Sequence, residues 1–144
     1  MRDVTLETQL RLLTLQAETW KKLHDFITYA LDKSKPIISG DHERQFTEVR
    51  ATLLQESEHI FNELGLVAEL SGKAMNVLQR VVSLRGMREL SGEDIRRLES
   101  DWNFVFTRIG VVQGQLKARR KELLGRSILA HSLAQLFGRK IVAR

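Results

Sequence analysis

Apolar residues recur along this chain at alternating steps of four and three, and this spacing constrains the fold more than any other feature. A mean step of about 3.5 residues is the period of a helix that packs along one face against other helices. No stretch shows the alternation in steps of two that is typical of a half-buried strand. The first apolar row runs through Leu6, Leu10, Leu13, Ala17, Trp20, His24, Ile27 and Leu31.

This period predicts an all-α protein of long antiparallel helices, three or at most four, in a coiled-coil-like bundle. The apolar stripe of the first segment is wider than the seam of a two-stranded coiled coil, because Leu12, Leu15, Leu23 and Phe26 flank the row. A wide stripe indicates a helix that contacts more than one neighbour. With 144 residues, the whole chain has the size of a single helical domain.

Capping residues and the only proline set the predicted helix ends. Pro36 pushes the residue before it out of the helical region, so it ends a first helix over about residues 4–33. Ser39 is a suitable N-cap for a second helix. Ser91 is a suitable N-cap for a third helix over about residues 92–137, because an aspartate follows three positions later.

The second helix is predicted to be continuous over about residues 40–85. Its apolar rows pass Gly65 and Gly72 without losing phase, although a turn at either glycine should shift them. Gly86 then fits the position just past a helix end, where glycine is favoured. Folding this helix against the third pairs residues whose numbers add to about 177. Gly65 then faces the glycines within residues 110–114, which predicts a close approach of the two backbones.

The tip of this predicted hairpin, residues 74–109, is too apolar for two helices to cover. The first helix pairs with the second through residues whose numbers add to about 72, so it ends near residue 68. An uncovered apolar patch often marks a contact with another chain, here a second copy related by a two-fold axis. A break at Ser71-Gly72 would instead give a compact monomeric four-helix bundle. The predicted dimer or partner contacts are Val77, Leu78, Val81, Val82, Trp102 and Phe106.

Positive charge is concentrated at the C-terminal end of the chain. Residues 117–144 hold eight basic side chains against one acidic side chain, which gives +7, whereas the whole chain carries only +5. Such a helix can bind an anionic membrane surface, a groove of a partner protein or the phosphates of nucleic acid. It can also be a final bundle helix with a solvated charged face. The predicted contacts with an anionic partner are Lys117, Arg119, Arg120, Lys121, Arg126, Arg139 and Lys140.

Residues that could support catalysis are sparse. The chain has no cysteine, which excludes disulfides and thiolate chemistry, and it has no glycine-rich phosphate loop. A di-iron bundle needs two Glu-x-x-His motifs, and Glu56 with His59 supplies only one. His24 lies in the first apolar row, which fits a structural histidine or a pH-responsive one. We therefore predict no enzyme, no catalytic residues, no cofactor, no metal and no small-molecule substrate.

These patterns favour a non-catalytic protein-interaction module, a scaffold, adaptor or chaperone-like bundle, that binds a protein partner and dimerises through residues 74–109. The alternative is a protein that binds a membrane surface or nucleic acid through its basic end, residues 117–144. No apolar run reaches the roughly 18 residues that a membrane span needs. The first residues, Met1-Arg2-Asp3, do not open a signal peptide, so we expect a cytoplasmic location.

Overall fold

A computed structural model describes residues 4–32, 34, 39–66 and 68–142, with the side chains of all of these except residues 4 and 137–142. Every regular element in these ranges is a helix, so the predicted all-α bundle is confirmed. The second predicted helix divides into three, so the described ranges contain four long helices and one helix of four residues. The helices are α1 (Val4–Leu31), α2 (Gly40–Glu63), α3 (Ala68–Arg80), α4 (Leu84–Met87) and α5 (Gly92–Val142).

The predicted N-caps of the second and third segments are confirmed. The hydroxyl of Ser39 accepts a hydrogen bond from the backbone N–H of His42 at 3.2 Å. The hydroxyl of Ser91 accepts one from the backbone N–H of Asp94 at 3.1 Å. Each bond satisfies an N–H group that the first helical turn leaves without a backbone partner. α1 ends ahead of Pro36, which itself lies outside the described residues.

α1 and α2 pack antiparallel in the predicted register. The rings of Phe26 and Phe46 contact each other edge to face, with 6.1 Å between their centroids. The hydroxyl of Ser57 donates a hydrogen bond to Oε1 of Gln16 over 3.1 Å. In both pairs the residue numbers add to about 72, the value that a fold-back of the first helix requires.

The prediction of one continuous helix over residues 40–85 is wrong, because the chain reverses at Gly65. The N–H of Gly65 donates to the carbonyl oxygen of Asn62 at 3.0 Å, and the N–H of Leu66 donates to that of Phe61 at 2.9 Å. These two bonds define a Schellman motif, which ends α2. Gly65 has a φ of +65°, a left-handed conformation that favours glycine because residues with a Cβ atom are strained there.

After this reversal α3 packs between α2 and α5. The guanidinium Nε of Arg50 donates to the carbonyl oxygen of Leu78 at 2.9 Å, and Nζ of Lys73 lies 3.3 Å from Oδ1 of Asp101. In the described residues α1 and α3 each contact both α2 and α5, whereas α2 does not contact α5. The four long helices therefore form a ring in the order α1, α2, α3 and α5, with α2 diagonally opposite α5.

The alternative break at Ser71-Gly72 is also misplaced, since both residues lie within α3. Gly86, predicted to follow a helix end, lies inside the short helix α4. There its N–H donates to the hydroxyl of Ser83, the N-cap of α4, at 3.0 Å. α4 contacts α1 and α2, and it buries Leu84 and Met87 at one end of the bundle.

The core follows the predicted apolar rows, and within it a series of hydrogen bonds links buried polar groups. Nε1 of Trp20 donates to Oε1 of Gln16 at 3.0 Å, and Ser57 donates to the same oxygen. Nε1 of Trp102 donates to the backbone carbonyl oxygen of Trp20 at 3.0 Å. These bonds join α1, α2 and α5, and they satisfy polar groups that would be costly to bury unpaired.

The predicted close approach at the glycines is not observed. A Cβ atom added to Gly65, Gly110 or Gly114 would meet no heavy atom within 4 Å. Gly65 does lie beside Val111 and Val112, with which it lines a shallow cavity, so the register between this region and α5 is as predicted. Gly65 is therefore explained by its positive φ and not by the packing of two backbones.

Candidate interaction surfaces

Four of the six residues predicted to form a contact between chains lie in the core of the single chain. Val77, Leu78 and Val81 are fully buried, and Trp102 is only 7% exposed. The prediction that the tip is uncovered is therefore wrong. Its physical cause is the reversal at Gly65, which lays α3 against α5 in the same chain and buries the apolar residues of both helices.

The first helix also reaches farther along α5 than the prediction assumed. Trp102 donates its indole N–H to the backbone of Trp20, and its ring lies 4.0 Å from the ring of His24 between centroids. Phe106 is half-buried and stacks on Trp102, with centroids 4.8 Å apart and planes inclined by 13°. Only Val82, at 66% exposed, remains as an uncovered member of the predicted set.

Polar side chains that lie between the helices contact polar groups on neighbouring helices. Asp101 is nearly buried and pairs with Lys73 at 3.3 Å and Arg80 at 3.4 Å, which fastens α3 to α5. Nε2 of His24 lies 3.6 Å from a carboxylate oxygen of Glu99 and fastens α1 to α5. Both arrangements are those of groups that hold helices in register, because each charge or ring faces a partner on another helix.

An open cavity of about 600 Å³ lies between α1 and α2. The rings of Tyr29 and His42 meet across it with centroids 5.0 Å apart, and Nδ1 of His42 is buried with no hydrogen-bond partner among the described residues. Charges of both signs surround it, so its lining favours no single class of ligand. The lining residues are Lys22, Asp25, Phe26, Tyr29, His42, Gln45, Glu48 and Val49.

The C-terminal part of α5 leaves the bundle. Among the described residues, Leu116 is the last on α5 that packs against the core. The guanidinium of Arg120 lies 3.8 Å from the carboxylate of Glu7, near the start of α1. Beyond this pair α5 continues to Val142. We call residues 121–142 the α5 extension; at 1.5 Å per residue it is about 33 Å long.

The predicted basic residues are distributed over the end of the bundle and the α5 extension. Arg120 is half-buried in its pair with α1, and Arg126 pairs with Glu122 one turn earlier at 2.5 Å. Arg139 and Lys140 lie in α5, but their side chains are outside the described set. The predicted residues that the structure exposes to solvent are Lys117, Arg119, Lys121 and Arg126.

The α5 extension also exposes a set of large apolar side chains that the predicted site left out. On a helix of 3.6 residues per turn they lie within about half of the circumference. That half is opposite the side on which Leu116 meets the core. We call these residues the apolar face; they are 44% to 67% exposed and comprise Leu124, Ile128, Leu129, Leu133 and Leu136.

Comparison with protein-family models, curated proteins and solved structures found no match to this chain. Within the described ranges, no group of three or more histidine, aspartate and glutamate side chains could hold a metal ion. Within the same ranges, none of the helices is both long and apolar enough to cross a membrane.

Proposed function

We propose that this chain is a non-catalytic interaction protein whose contact element is the α5 extension and whose bundle holds that element in place. The observation that carries the proposal is the exposure of the apolar face, whose five members are 44% to 67% exposed. Clusters of exposed apolar residues of this kind are typical of surfaces that bind another molecule. The proposal replaces the predicted dimer contact at the tip, because four of the six residues predicted for that contact are buried in the core of the single chain.

The energy available from the apolar face is large enough for binding. Burying one large apolar side chain contributes about 1.5–3 kcal/mol relative to leaving it in water. The five side chains of the face start from partial exposure, so each contributes a fraction of that amount. The extension is continuous with the bundle half of α5, so its helix is nucleated before binding and less conformational entropy is lost on contact.

Photo-cross-linking in cells that make the full chain tests this proposal. A benzophenone amino acid, which inserts into C–H bonds of protein and lipid alike, replaces Leu133 or Leu136 in one pair of variants. In the control pair it replaces Leu15 or Val82, which are exposed to a similar degree on the bundle. We expect adducts to form at the extension positions and to be few at the bundle positions.

Equal yields of adducts at the two pairs of positions would show that the extension is no more a contact element than the rest of the surface. Unfolding of a variant is excluded by its circular dichroism spectrum. The partner can be a protein or a lipid of any kind, because the position of the cross-linker, and not the identity of the adduct, decides the result.

A further inference from the structure

The width of the apolar face indicates the shape of the surface that it contacts. A groove in a partner protein usually binds a narrow stripe of side chains at positions i, i+3, i+4 and i+7 of a helix. Leu129, Leu133 and Leu136 follow this narrow spacing, but Leu124 and Ile128 extend the face to about half of the circumference. A helix that lies in the interface of a bilayer buries an arc of this width.

The distribution of charge indicates the sign of that surface. Within residues 117–144, basic residues are densest at the two ends, 117–121 and 139–144. The apolar face lies between these two clusters in the sequence. At an anionic bilayer the exposed basic side chains of residues 117–126 contact headgroups while the apolar side chains enter the acyl region. A second copy of this segment would instead bring two charges of +7 together, which opposes self-association.

Nucleic acid fits these residues less well than a bilayer does. Binding to a single strand usually relies on several aromatic side chains that stack on bases, and residues 117–144 contain only one, Phe137. Binding to a duplex relies mainly on contacts with phosphates, which leave five exposed leucine and isoleucine side chains without a role. An anionic bilayer gives both the charges and the apolar face a partner.

We infer that the α5 extension binds an anionic phospholipid bilayer, along which it lies with the apolar face in the interface and the exposed basic side chains of residues 117–126 at the headgroups. This inference rests on the proposed function, since it names the surface that the extension contacts. The relevant ligand chemistry is a plane of phosphate headgroups above acyl chains. Soluble phosphate compounds offer only the first of these two features.

Vesicle flotation with the full-length chain tests the inference. The probes are vesicles of phosphatidylcholine alone and of phosphatidylcholine mixed with phosphatidylglycerol. Leu136→Glu changes the apolar face, and Leu15→Glu is the matched control, because each leucine is 52% exposed. We expect binding to the mixed vesicles only, a loss of affinity of about tenfold or more for Leu136→Glu, and unchanged binding for Leu15→Glu.

A second pair of variants tests the role of charge. Lys117→Gln with Lys121→Gln removes two exposed charges at the start of the basic segment, and Lys21→Gln with Lys22→Gln removes two exposed charges from α1. Each basic residue near an anionic bilayer contributes about a fivefold gain in affinity. We expect the first pair to weaken vesicle binding by about 25-fold and the second pair to have a much smaller effect.

Several results would overturn the inference and would separate it from the proposed function. Absence of wild-type protein from the mixed vesicles, or equal binding to neutral vesicles, excludes an anionic bilayer. Equal effects of Leu136→Glu and Leu15→Glu on vesicle binding would show that the apolar face does not contact the bilayer. If vesicles are not bound while Leu133 still gives protein adducts, the proposed function stands with a protein partner. A dimer that Leu136→Glu converts to a monomer would identify a second copy as that partner.

Discussion

The two halves of α5 have similar residues and opposite environments. In the bundle half, Leu98, Val105 and Ile109 are buried against α1 and α3. In the α5 extension, Leu129 and Leu133 have the same spacing of four residues as Val105 and Ile109 but are exposed to water. An apolar period on a helix therefore marks a face that is suited to burial. The positions of the other helices decide whether that face is buried within the same chain.

The boundary between the halves follows from the lengths of the covering helices. α1 begins at Val4, and Glu7 already lies opposite Arg120. On the other side, the turn before α3 lies beside Val112 of α5. Only the first few residues of α1 lie beyond this pair, and among the described residues of α5 none after Leu116 packs against the core.

Truncation of one apolar side chain in each half should give the largest contrast. Ile109→Ala should lower the free energy of unfolding by about 2–5 kcal/mol, because it leaves a cavity in the core. Leu133→Ala should change it by less than about 0.5 kcal/mol, as is usual for exposed positions. Urea denaturation followed by circular dichroism measures both values. A loss of stability at Leu133 similar to that at Ile109 would break the comparison.

Removing an ion pair should also lower the free energy of unfolding more in the bundle half of α5 than in the α5 extension, but by less than truncation of an apolar side chain does. The side chain of Asp101 is 10% exposed and pairs with Lys73 and Arg80, so Asp101→Ala should cost about 1–3 kcal/mol. Glu122→Ala removes an exposed pair with Arg126 and should cost less than about 0.5 kcal/mol. Thermal and urea denaturation of the two variants provide the measurement, and equal losses would contradict the difference in burial.

Two glycines test the reversal that places α3 beside α5. Gly65→Ala should destabilise the protein by about 1–2 kcal/mol, because the left-handed backbone disfavours a Cβ atom. Gly72→Ala should stabilise it by up to about 1 kcal/mol, since Gly72 lies inside α3 and a Cβ atom there has space. Opposite signs in chemical denaturation are the expected result. Stabilisation by both substitutions would instead support a continuous helix.

Glycines within α5 should give the smallest effects and sharpen the comparison of its halves. Gly110→Ala should raise the free energy of unfolding by about 0.5–1 kcal/mol, because a Cβ atom there meets nothing within 4 Å. Gly125→Ala should increase the helical signal of the extension without moving the urea midpoint of the bundle. Hydrogen exchange, read residue by residue, assigns each change to its half. A shift of the midpoint by Gly125→Ala would show that the halves unfold together.

Local rules predicted the parts of the fold that depend on local chemistry. Ser39 and Ser91 were predicted as N-caps because a hydroxyl can bind the free N–H groups of the next turn. The fold-back of the first helix about Pro36 also predicted the register of α1 on α2. The reversal at Gly65 was missed because the apolar rows keep their spacing through it, and a period does not record the direction of the chain. The apolar pair of Phe61 and Leu66 around Gly65 was the available signal for a Schellman end.

The residues of the α5 extension could be predicted as basic and apolar from the sequence, but their exposure to solvent could not. The basic residues and the leucines of residues 117–144 are evident in the sequence. Whether Leu129 and Leu133 are covered depends on how far α1 extends along α5, which is a property of the assembled bundle. The burial of Trp102 likewise depends on contacts with Trp20 and His24, which lie far away in the sequence.

The continuity of α5 from bundle to extension sets how the molecule is oriented when the extension lies on a flat surface. The apolar face is on the side of α5 opposite its contacts with the core, so α5 is the helix nearest to that surface. α2, diagonally opposite α5, is then farthest from it and faces the surrounding solution. Because α2 lines one wall of the cavity between α1 and α2, that wall then lies on the side of the bundle that is turned away from the surface.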